Sequence, residues 1–144
     1  MAEATSPRAA IITSNRVEGA VLSKRLKPCG IDVIAVIDAL DTLKMLDRRP
    51  DILIAPAQPG RELRAYYAGR AAAPKRIPIV FIVQDLDTLA TEALLNSVPV
   101  CAAITQSSPA FLLRMVIERL LNSSGVNNPG SRTSSFCRHS NNNF

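Results

Sequence analysis

The sequence predicts an α/β fold with three layers, in which helices cover both faces of a five-stranded parallel sheet. Five short apolar runs of strand length alternate with five segments of helical periodicity, and every connection between them is short. This alternation requires parallel strands joined by right-handed crossovers. The chain has 144 residues, of which 47% are hydrophobic, and this is enough for one domain with one core.

The first strand is predicted over 9–13 (AAIIT), after a polar, flexible segment 1–8. Ser14 or Asn15 is expected to cap the first helix, with Glu18 placed three residues after Asn15 so that it can reach back to the cap. That helix is expected to end where proline and glycine follow it. Its predicted inner stripe is formed by Val17, Val21, Leu22 and Leu26.

The second strand is predicted over 31–37 (IDVIAVI), and a second helix follows it and ends near two arginines at 48–49. Cations suit the carboxyl end of a helix. Asp38 and Asp41 are interpreted as caps at its start. The predicted inner stripe of this helix is Leu40, Leu43 and Leu46.

The third strand lies in RPDILIAPAQPG, over 49–60, and is the centre of the predicted sheet. Its apolar core, 52–55, is too short for a helix and is bracketed by prolines. Ligands of doubly wound sheets gather just past the carboxyl ends of such strands. The residues expected there are Ala55, Pro56, Ala57 and Gln58, and none of their side chains can act as nucleophile, acid, base or metal ligand.

A third, weaker helix is predicted around 62–70 and a fourth strand over 77–83 (IPIVFIV). The unbroken apolar character of that strand is what burial on both faces demands. Asp85, Asp87 and Thr88 are interpreted as caps of a short fourth helix.

The fifth strand is predicted over 100–104 (VCAAI), and Ser108 followed by Pro109 marks the start of the fifth helix. The domain is therefore assigned to 9–121. The remaining segment, 122–144, is rich in Asn and Ser and is predicted to be a disordered tail. Cys137 and His139 lie in that tail, and without a second pair nearby they do not predict a metal site.

Composition favours a soluble cytoplasmic protein. The apolar runs are short, the amino-terminal segment lacks the apolar core of a signal peptide, and the sequence predicts no membrane association. Three cysteines at unrelated spacings argue against a disulfide framework.

The formal net charge is +5, and the densest basic region spans 61–76, with Glu62 as its only acid. Tyr66 and Tyr67 are its only aromatic residues. The region is predicted to be a solvated face, with an acidic partner or nucleic acid as the alternatives. Its cations are Arg61, Arg64, Arg70, Lys75 and Arg76.

Together, RPDILIAPAQPG, RIPIVFIV and AAITQSSPAFLLRMVIERLL resemble the receiver domain of two-component response regulators. The resemblance covers roughly residues 8–121. It implies a flavodoxin-like (βα)5 fold with strand order 2-1-3-4-5. Receivers typically read Pro-Asp, four apolar residues, the phospho-accepting Asp and then a Pro-Gly turn. The acceptor position falls on Pro56 counting from Asp51, or on Ala55 counting back from Pro59.

The other positions that carry chemistry in receivers are also altered. The acidic pair maps onto Thr13 and Ser14 or, with a shift of one residue, onto Ser14 and Asn15; the switch Thr or Ser becomes Val83; and the lysine becomes Gln106. Phosphoryl transfer to a carboxylate needs that carboxylate and a Mg²⁺ ion held by hard oxygen ligands. The resemblance therefore implies a degenerate receiver that is not an enzyme and holds no metal or cofactor.

Such a module is expected to work by association with a protein partner: a kinase, a regulator or a second copy. In receivers, output and dimer contacts often use the surface of the fourth helix, fifth strand and fifth helix. The candidate interface residues here are Phe111, Leu113 and Met115. Alternatively, Leu112, Val116 and Leu120 face the core, and the three candidate residues only flank them.

Two other functions remain open at this point. The chain is alternatively the sensory half of a transcription regulator or antiterminator whose output domain lies outside it, so nucleic-acid binding is not predicted for this chain. It is alternatively a flavodoxin-like small-ligand binder, although no Gly-rich phosphate loop follows the first strand. Asp85 and Asp87 are further candidates for a displaced acceptor, with capping as the simpler role.

Overall fold

A computed structural model describes residues 6–58 and 61–125 and has one sheet of five parallel strands in the order β2-β1-β3-β4-β5. The strands are β1 (Arg8–Ile12), β2 (Asp32–Ile37), β3 (Ile52–Pro56), β4 (Ile79–Val83) and β5 (Cys101–Thr105). The α-helices are α1 (Arg16–Leu26), α2 (Thr42–Leu46), α3 (Glu62–Ala72), α4 (Leu89–Ser97) and α5 (Ala110–Gly125). Short 3-10 turns lie at Lys27–Cys29, Ala39–Asp41 and Ala73–Lys75. The predicted fold class and strand order are confirmed.

Alternate residues of the central strands enter two separate cores, as the two-residue period of a strand requires. In β3, Ile52 and Ile54 face the core beneath α1 and α5, whereas Leu53 and Ala55 face the core beneath α2, α3 and α4. All five residues of β3 are buried. The helices therefore cover both faces of the sheet and leave its carboxyl edge as the place for a site.

The structure corrects several predicted details. Arg8 belongs to β1 rather than to the flexible segment 1–8, and helix α5 continues to Gly125 instead of ending at 121. Val17 and Val21 were assigned to the inner stripe of the first helix but are 72% and 52% exposed, because Gly19, Leu22 and Leu26 form its buried side. The predicted tail beyond Gly125, with Cys137 and His139, lies outside the described residues.

The second predicted stripe is wrong at Leu40, and the side chain of Leu43 lies outside what the structure describes. Leu40 is 74% exposed, because it lies in the 3-10 turn before α2, where Ala39 is the buried residue. Leu46 is fully buried as predicted. A helical period of 3.6 residues does not hold across a 3-10 turn, which has three residues per turn.

The helix caps agree largely with the sequence. The Asn15 side chain accepts a hydrogen bond from the backbone N–H of Glu18 at 3.0 Å, and Thr88 accepts one from Thr91 at 3.1 Å. Asp38 accepts one from Leu40 at 3.2 Å, whereas Asp41 makes no side-chain cap. These caps satisfy backbone donors that the first turn leaves without partners.

Helix α3 packs closely on the sheet because it carries glycine where it meets α4 and β4. A Cβ atom on Gly69 would lie 2.6 Å from Cγ2 of Val98 and 3.4 Å from Cζ of Phe81. We expect Gly69→Ala to lower the free energy of unfolding by about 1–2 kcal/mol, since the clash outweighs the helix propensity gained. Urea unfolding will measure this. In the Val98→Ala background the same change should be neutral or stabilising, and an equal loss in both backgrounds would contradict the packing explanation.

The cysteines do not pair among the described residues. Cys101 is buried in β5, and Cys29 is half-buried after α1. Burial raises the pKa of the Cys29 thiol, while Arg114 and Arg25 oppose the shift. In the described part of the chain, no helix has the length and apolar character needed to cross a membrane.

Candidate functional site

The carboxyl edge of the sheet brings together the loops that follow β1, β3, β4 and β5. Thr13 follows β1 and is only 8% exposed. Its hydroxyl donates a 2.6 Å hydrogen bond to Oε1 of Glu18 and accepts one from the backbone N–H of Asn15 at 3.1 Å. The Thr13 hydroxyl therefore ties the end of β1 to the first turn of α1.

Two arginines from the region after β3 occupy the space beside this loop. Nη1 of Arg61 forms an ion pair with Oε1 of Glu18. Nη1 of Arg64 lies 3.4 Å from Oγ of Ser14 and 3.5 Å from Oδ1 of Asp38. The space they enclose is a cavity of about 260 Å³. Its lining residues are Ile12, Thr13, Ser14, Ala39, Pro56, Arg61 and Arg64.

The Glu18–Arg61 pair was not predicted from the sequence. Glu18 was assigned to the capping box, and its backbone N–H does bind Asn15, but its carboxylate turns to Thr13 and Arg61 instead. The Glu18 side chain is 18% exposed, so the pair is partly shielded from water. Arg61 is 43 residues away in sequence, and no periodic signal links two such positions.

On the other side of Pro56, the side-chain amides of Gln58 and Gln106 lie next to each other. Nε2 of Gln58 lies 3.4 Å from Oε1 of Gln106, the residue at the predicted lysine position. Oε1 of Gln58 is buried and has no hydrogen-bond partner among the described residues. Arg25 from α1 donates to the backbone oxygens of Gln106 and Ser108 at 3.2 and 2.6 Å. Arg25 thereby holds the loop after β5 against α1 at the rim of a cleft of about 570 Å³.

The predicted switch position, Val83, ends β4 and is 1% exposed. Its backbone oxygen accepts a 3.0 Å hydrogen bond from the N–H of Gln106, which joins the loops after β4 and β5. A valine has no hydroxyl with which to bind a charged group. Val83 therefore has a structural role: its side chain packs in the core, and its backbone oxygen joins two loops at the sheet edge.

Asp85 and Asp87 follow β4 and are the residues that the sequence offers as a displaced phosphoryl acceptor. Oδ1 of Asp85 accepts a 2.9 Å hydrogen bond from the N–H of Asp87, so this carboxylate closes a turn. Asp85 and Glu62 line one shallow cavity of about 430 Å³. Across residues 6–58 and 61–125, no three His, Cys, Asp or Glu side chains are grouped closely enough to hold a metal ion.

The geometry brings together Thr13, Ser14, Asn15, Pro56 and Gln106 around one edge of the sheet. The prediction that Ala55 lines the site is wrong: Ala55 is fully buried, because its side chain faces the core beneath α2, α3 and α4. The fixed charges beside Pro56 are guanidinium groups, and Glu18 is engaged by one of them. These guanidinium groups can donate hydrogen bonds and repel cations, but the arrangement offers no nucleophile with a base beside it.

Two of the three candidate interface residues are exposed. Phe111 is 62% and Met115 is 46% exposed on α5. The prediction is wrong for Leu113, which is fully buried, because it lies on the same side of the helix as Val116 and Ile117 and packs with them against the sheet. Helical spacing places residues three and four apart on one face.

Solved structures share this fold. The signal receiver domain of a modulated diguanylate cyclase from Desulfovibrio desulfuricans G20 is similar with a TM-score of 0.67 and 22% identity, over 85% of this chain and 99% of that one. The receiver domain of a sensor histidine kinase from Pseudomonas aeruginosa PAO1 has a TM-score of 0.68 and 19% identity, over 82% and 99%. The response regulator domain of Thermotoga maritima CheB has a TM-score of 0.65 and 14% identity, over 85% and 99%.

No protein-family model matches the chain, and no curated protein matches its sequence. The structural similarities are all at low identity and show that the chain has the fold of receiver domains. The Pseudomonas aeruginosa domain was solved with a magnesium ion coordinated in its active-site cleft.

Proposed function

We propose that this chain is a degenerate receiver domain that serves signal transduction through protein association rather than through phosphorylation. One observation carries the proposal. The family resemblance places the phosphoryl acceptor on Ala55 or Pro56. Ala55 is buried in the core, and beside Pro56 the carboxylates of Glu18 and Asp38 are paired with Arg61 and Arg64.

Phosphoryl transfer to a receiver needs a carboxylate nucleophile and a divalent cation that neutralises the developing charge. Pro56 has no side-chain oxygen. Magnesium requires several hard oxygen ligands, and the neutral oxygens of Thr13 and Ser14 are poor substitutes for carboxylates. A nearby guanidinium raises the electrostatic cost of placing Mg²⁺ there, because like charges repel. No catalytic role is proposed for these residues.

Association through the surface of α4, β5 and α5 is the means of signalling that this fold retains. Phe111 and Met115 expose large apolar side chains on α5, and Leu89 is 85% exposed at the start of α4. Aromatic residues and methionine are enriched in the centres of protein interfaces. The partner we propose first is a second copy of the chain, with a kinase or another regulator as the alternative.

The double substitution Phe111→Glu and Met115→Glu tests this interface. We expect the native chain to dimerise, and the variant to dissociate at least about tenfold more readily, because two charges would be buried without partners. Sedimentation equilibrium measures both constants. Leu40→Glu is the matched control, since Leu40 is an exposed apolar residue in the turn before α2, on the opposite face of the sheet from α5. A chain that stays monomeric at every concentration, or a dimer that the double variant leaves intact, would remove the self-association proposal.

A further inference from the structure

A second apolar surface lies on the other side of the domain, between the 3-10 turn before α2 and the exposed side of α3. We call it the α3 groove; it has a volume of about 610 Å³. Its lining residues are Ala39, Leu40, Leu63, Arg64, Tyr66, Tyr67 and Arg70. The exposed side chains of α3 in this groove are not used in packing on the sheet, because α3 packs through Ala65, Ala68, Gly69 and Ala72.

The groove combines exposed apolar anchors with arginine. Leu63 is 79% and Leu40 is 74% exposed, while Tyr66 and Tyr67 are 41% and 38% exposed. Singly exposed apolar residues are ordinary, but four large ones around one concavity mark an interaction site. Tyrosine and arginine are also the residues most often found at the energetic centres of interfaces.

The charge of the groove is positive. Its lining has two guanidinium groups and no carboxylate. The Arg70 guanidinium lies 6.0 Å from the centre of the Tyr66 ring, which keeps it over the apolar floor. Arg64 lies 3.5 Å from Asp38, at the end of the groove that faces the sheet edge. An occupant must therefore bring apolar side chains flanked by carboxylates.

We propose that the α3 groove binds an acidic amphipathic helix of a protein partner. A helix with apolar side chains at i, i+3, i+4 and i+7 fits an apolar groove of this kind. Carboxylates beside that stripe pair with Arg64 and Arg70, since guanidinium binds carboxylate in a two-pronged geometry. The proposal concerns a different helix from α5 and does not rest on the function proposed above.

Two other protein occupants fit less well. Residues 126–144 of this chain contain Arg132 and Arg138 and no aspartate or glutamate, so their charge does not complement the groove. A second copy docked by two-fold symmetry would bring the arginines of both grooves together. Like charges placed across an interface oppose association.

Nucleic acid and lipid surfaces are also less suitable. Both are recognised through dense arrays of cations along a phosphate-bearing surface. The groove offers two arginines around an apolar floor of two leucines and two tyrosines. This composition favours apolar anchors with a few charged contacts over a continuous phosphate contact.

The test uses a synthetic helical peptide with leucine at i, i+3, i+4 and i+7 and glutamate at the flanking positions. Its twin has lysine in place of every glutamate. Binding to the full chain is followed by fluorescence anisotropy, and the contact is mapped by backbone NMR shifts. We expect the acidic peptide to shift Leu40, Leu63, Tyr66 and Tyr67 and to bind at least about tenfold more tightly than its twin. Added salt should weaken it.

Matched variants assign the effect to the groove. Leu63→Glu and Arg70→Glu should each weaken the acidic peptide about tenfold or more. Val17→Glu and Lys24→Glu introduce the same changes in charge at exposed positions on α1, outside the groove, and should leave binding unchanged. Circular dichroism checks that every variant is folded. Phe111→Glu should also bind normally, which separates this proposal from the α5 interface.

Several results would overturn the proposal. One is that the acidic peptide does not bind. Others are that the lysine twin binds with equal affinity, or that the backbone NMR shifts lie away from α3. Phosphatidylserine vesicles or single-stranded RNA that produce the same shifts in preference to the peptide would assign the groove to a membrane or to nucleic acid. Dimerisation that Leu63→Glu abolishes would assign it to a second copy.

Discussion

Incubation with acetyl phosphate and Mg²⁺ is expected to leave the mass of this protein unchanged. Position 56 is a proline, and the cations beside it are Arg61 and Arg64. Without an acceptor carboxylate there is no site for an acyl phosphate. The nearby carboxylates of Glu18 and Asp38 are paired with Arg61 and Arg64, so we do not expect them to bind Mg²⁺. Intact-mass spectrometry measures the adduct, and backbone NMR with Mg²⁺ and beryllofluoride measures weaker occupancy around Thr13, Pro56 and Gln106.

The receiver domain from Pseudomonas aeruginosa that coordinates magnesium in its cleft is a suitable positive control under the same conditions. A gain of one phosphoryl group on the present chain would contradict the proposed function. Peptide mapping would then locate the adduct, and Asp85→Asn and Asp87→Asn variants would distinguish the two acids at the end of β4. Loss of the adduct in one of them would identify a displaced acceptor.

Leu113→Ala is expected to reduce the free energy of unfolding by about 2–5 kcal/mol, because it empties a fully buried position beneath α5. Met115→Ala on the same helix should change it by no more than about 0.5 kcal/mol, since Met115 is 46% exposed. Urea unfolding of the two variants gives both values from the shift of the midpoint.

Leu113→Met supplies a milder variant that keeps the volume of the side chain, and it should cost less than about 1.5 kcal/mol. Equal midpoints for Leu113→Ala and Met115→Ala would show that Leu113 does not pack as described. A shift in oligomeric state with Leu113→Ala alone, at unchanged stability, would return Leu113 to the interface.

The sheet could be predicted almost completely from the sequence because buried parallel strands leave a simple signal. The run from Ile52 to Ala55 and the run from Ile79 to Val83 are apolar at every position, and both are interior strands. Caps such as Asn15 and Thr88 were also visible, since they act on a backbone group only three residues away. Local chemistry of this kind is encoded within a few residues.

The side of each helix that packs against the sheet was harder to predict from the sequence. Leu113 and Met115 are both apolar in a helix with many apolar residues, so composition does not decide which of them meets the sheet. Val17 and Val21 fit a helical stripe in sequence, yet the helix turns Gly19 to the core. A Cβ on Gly19 would lie 2.7 Å from Cγ1 of Val36, so close approach to β2 selects that side.

The candidate site was predictable in position but not in charge. The edge formed by Thr13, Pro56 and Gln106 follows from strand order alone. The pairing of Glu18 with Arg61 spans 43 residues and depends on how the chain leaves β3, for which the sequence has no periodic signal. The contact of Arg25 with the loop after β5 could not be predicted either, because it forms only when the fold brings α1 beside that loop.

The Glu18–Arg61 pair joins the first turn of α1 to the residue that precedes α3. Under the proposed function, phosphorylation does not act on this contact, and association of the chain sets its output. Its output then depends on how many copies the cell holds. Synthesis and proteolytic turnover become the natural points of control for such a protein.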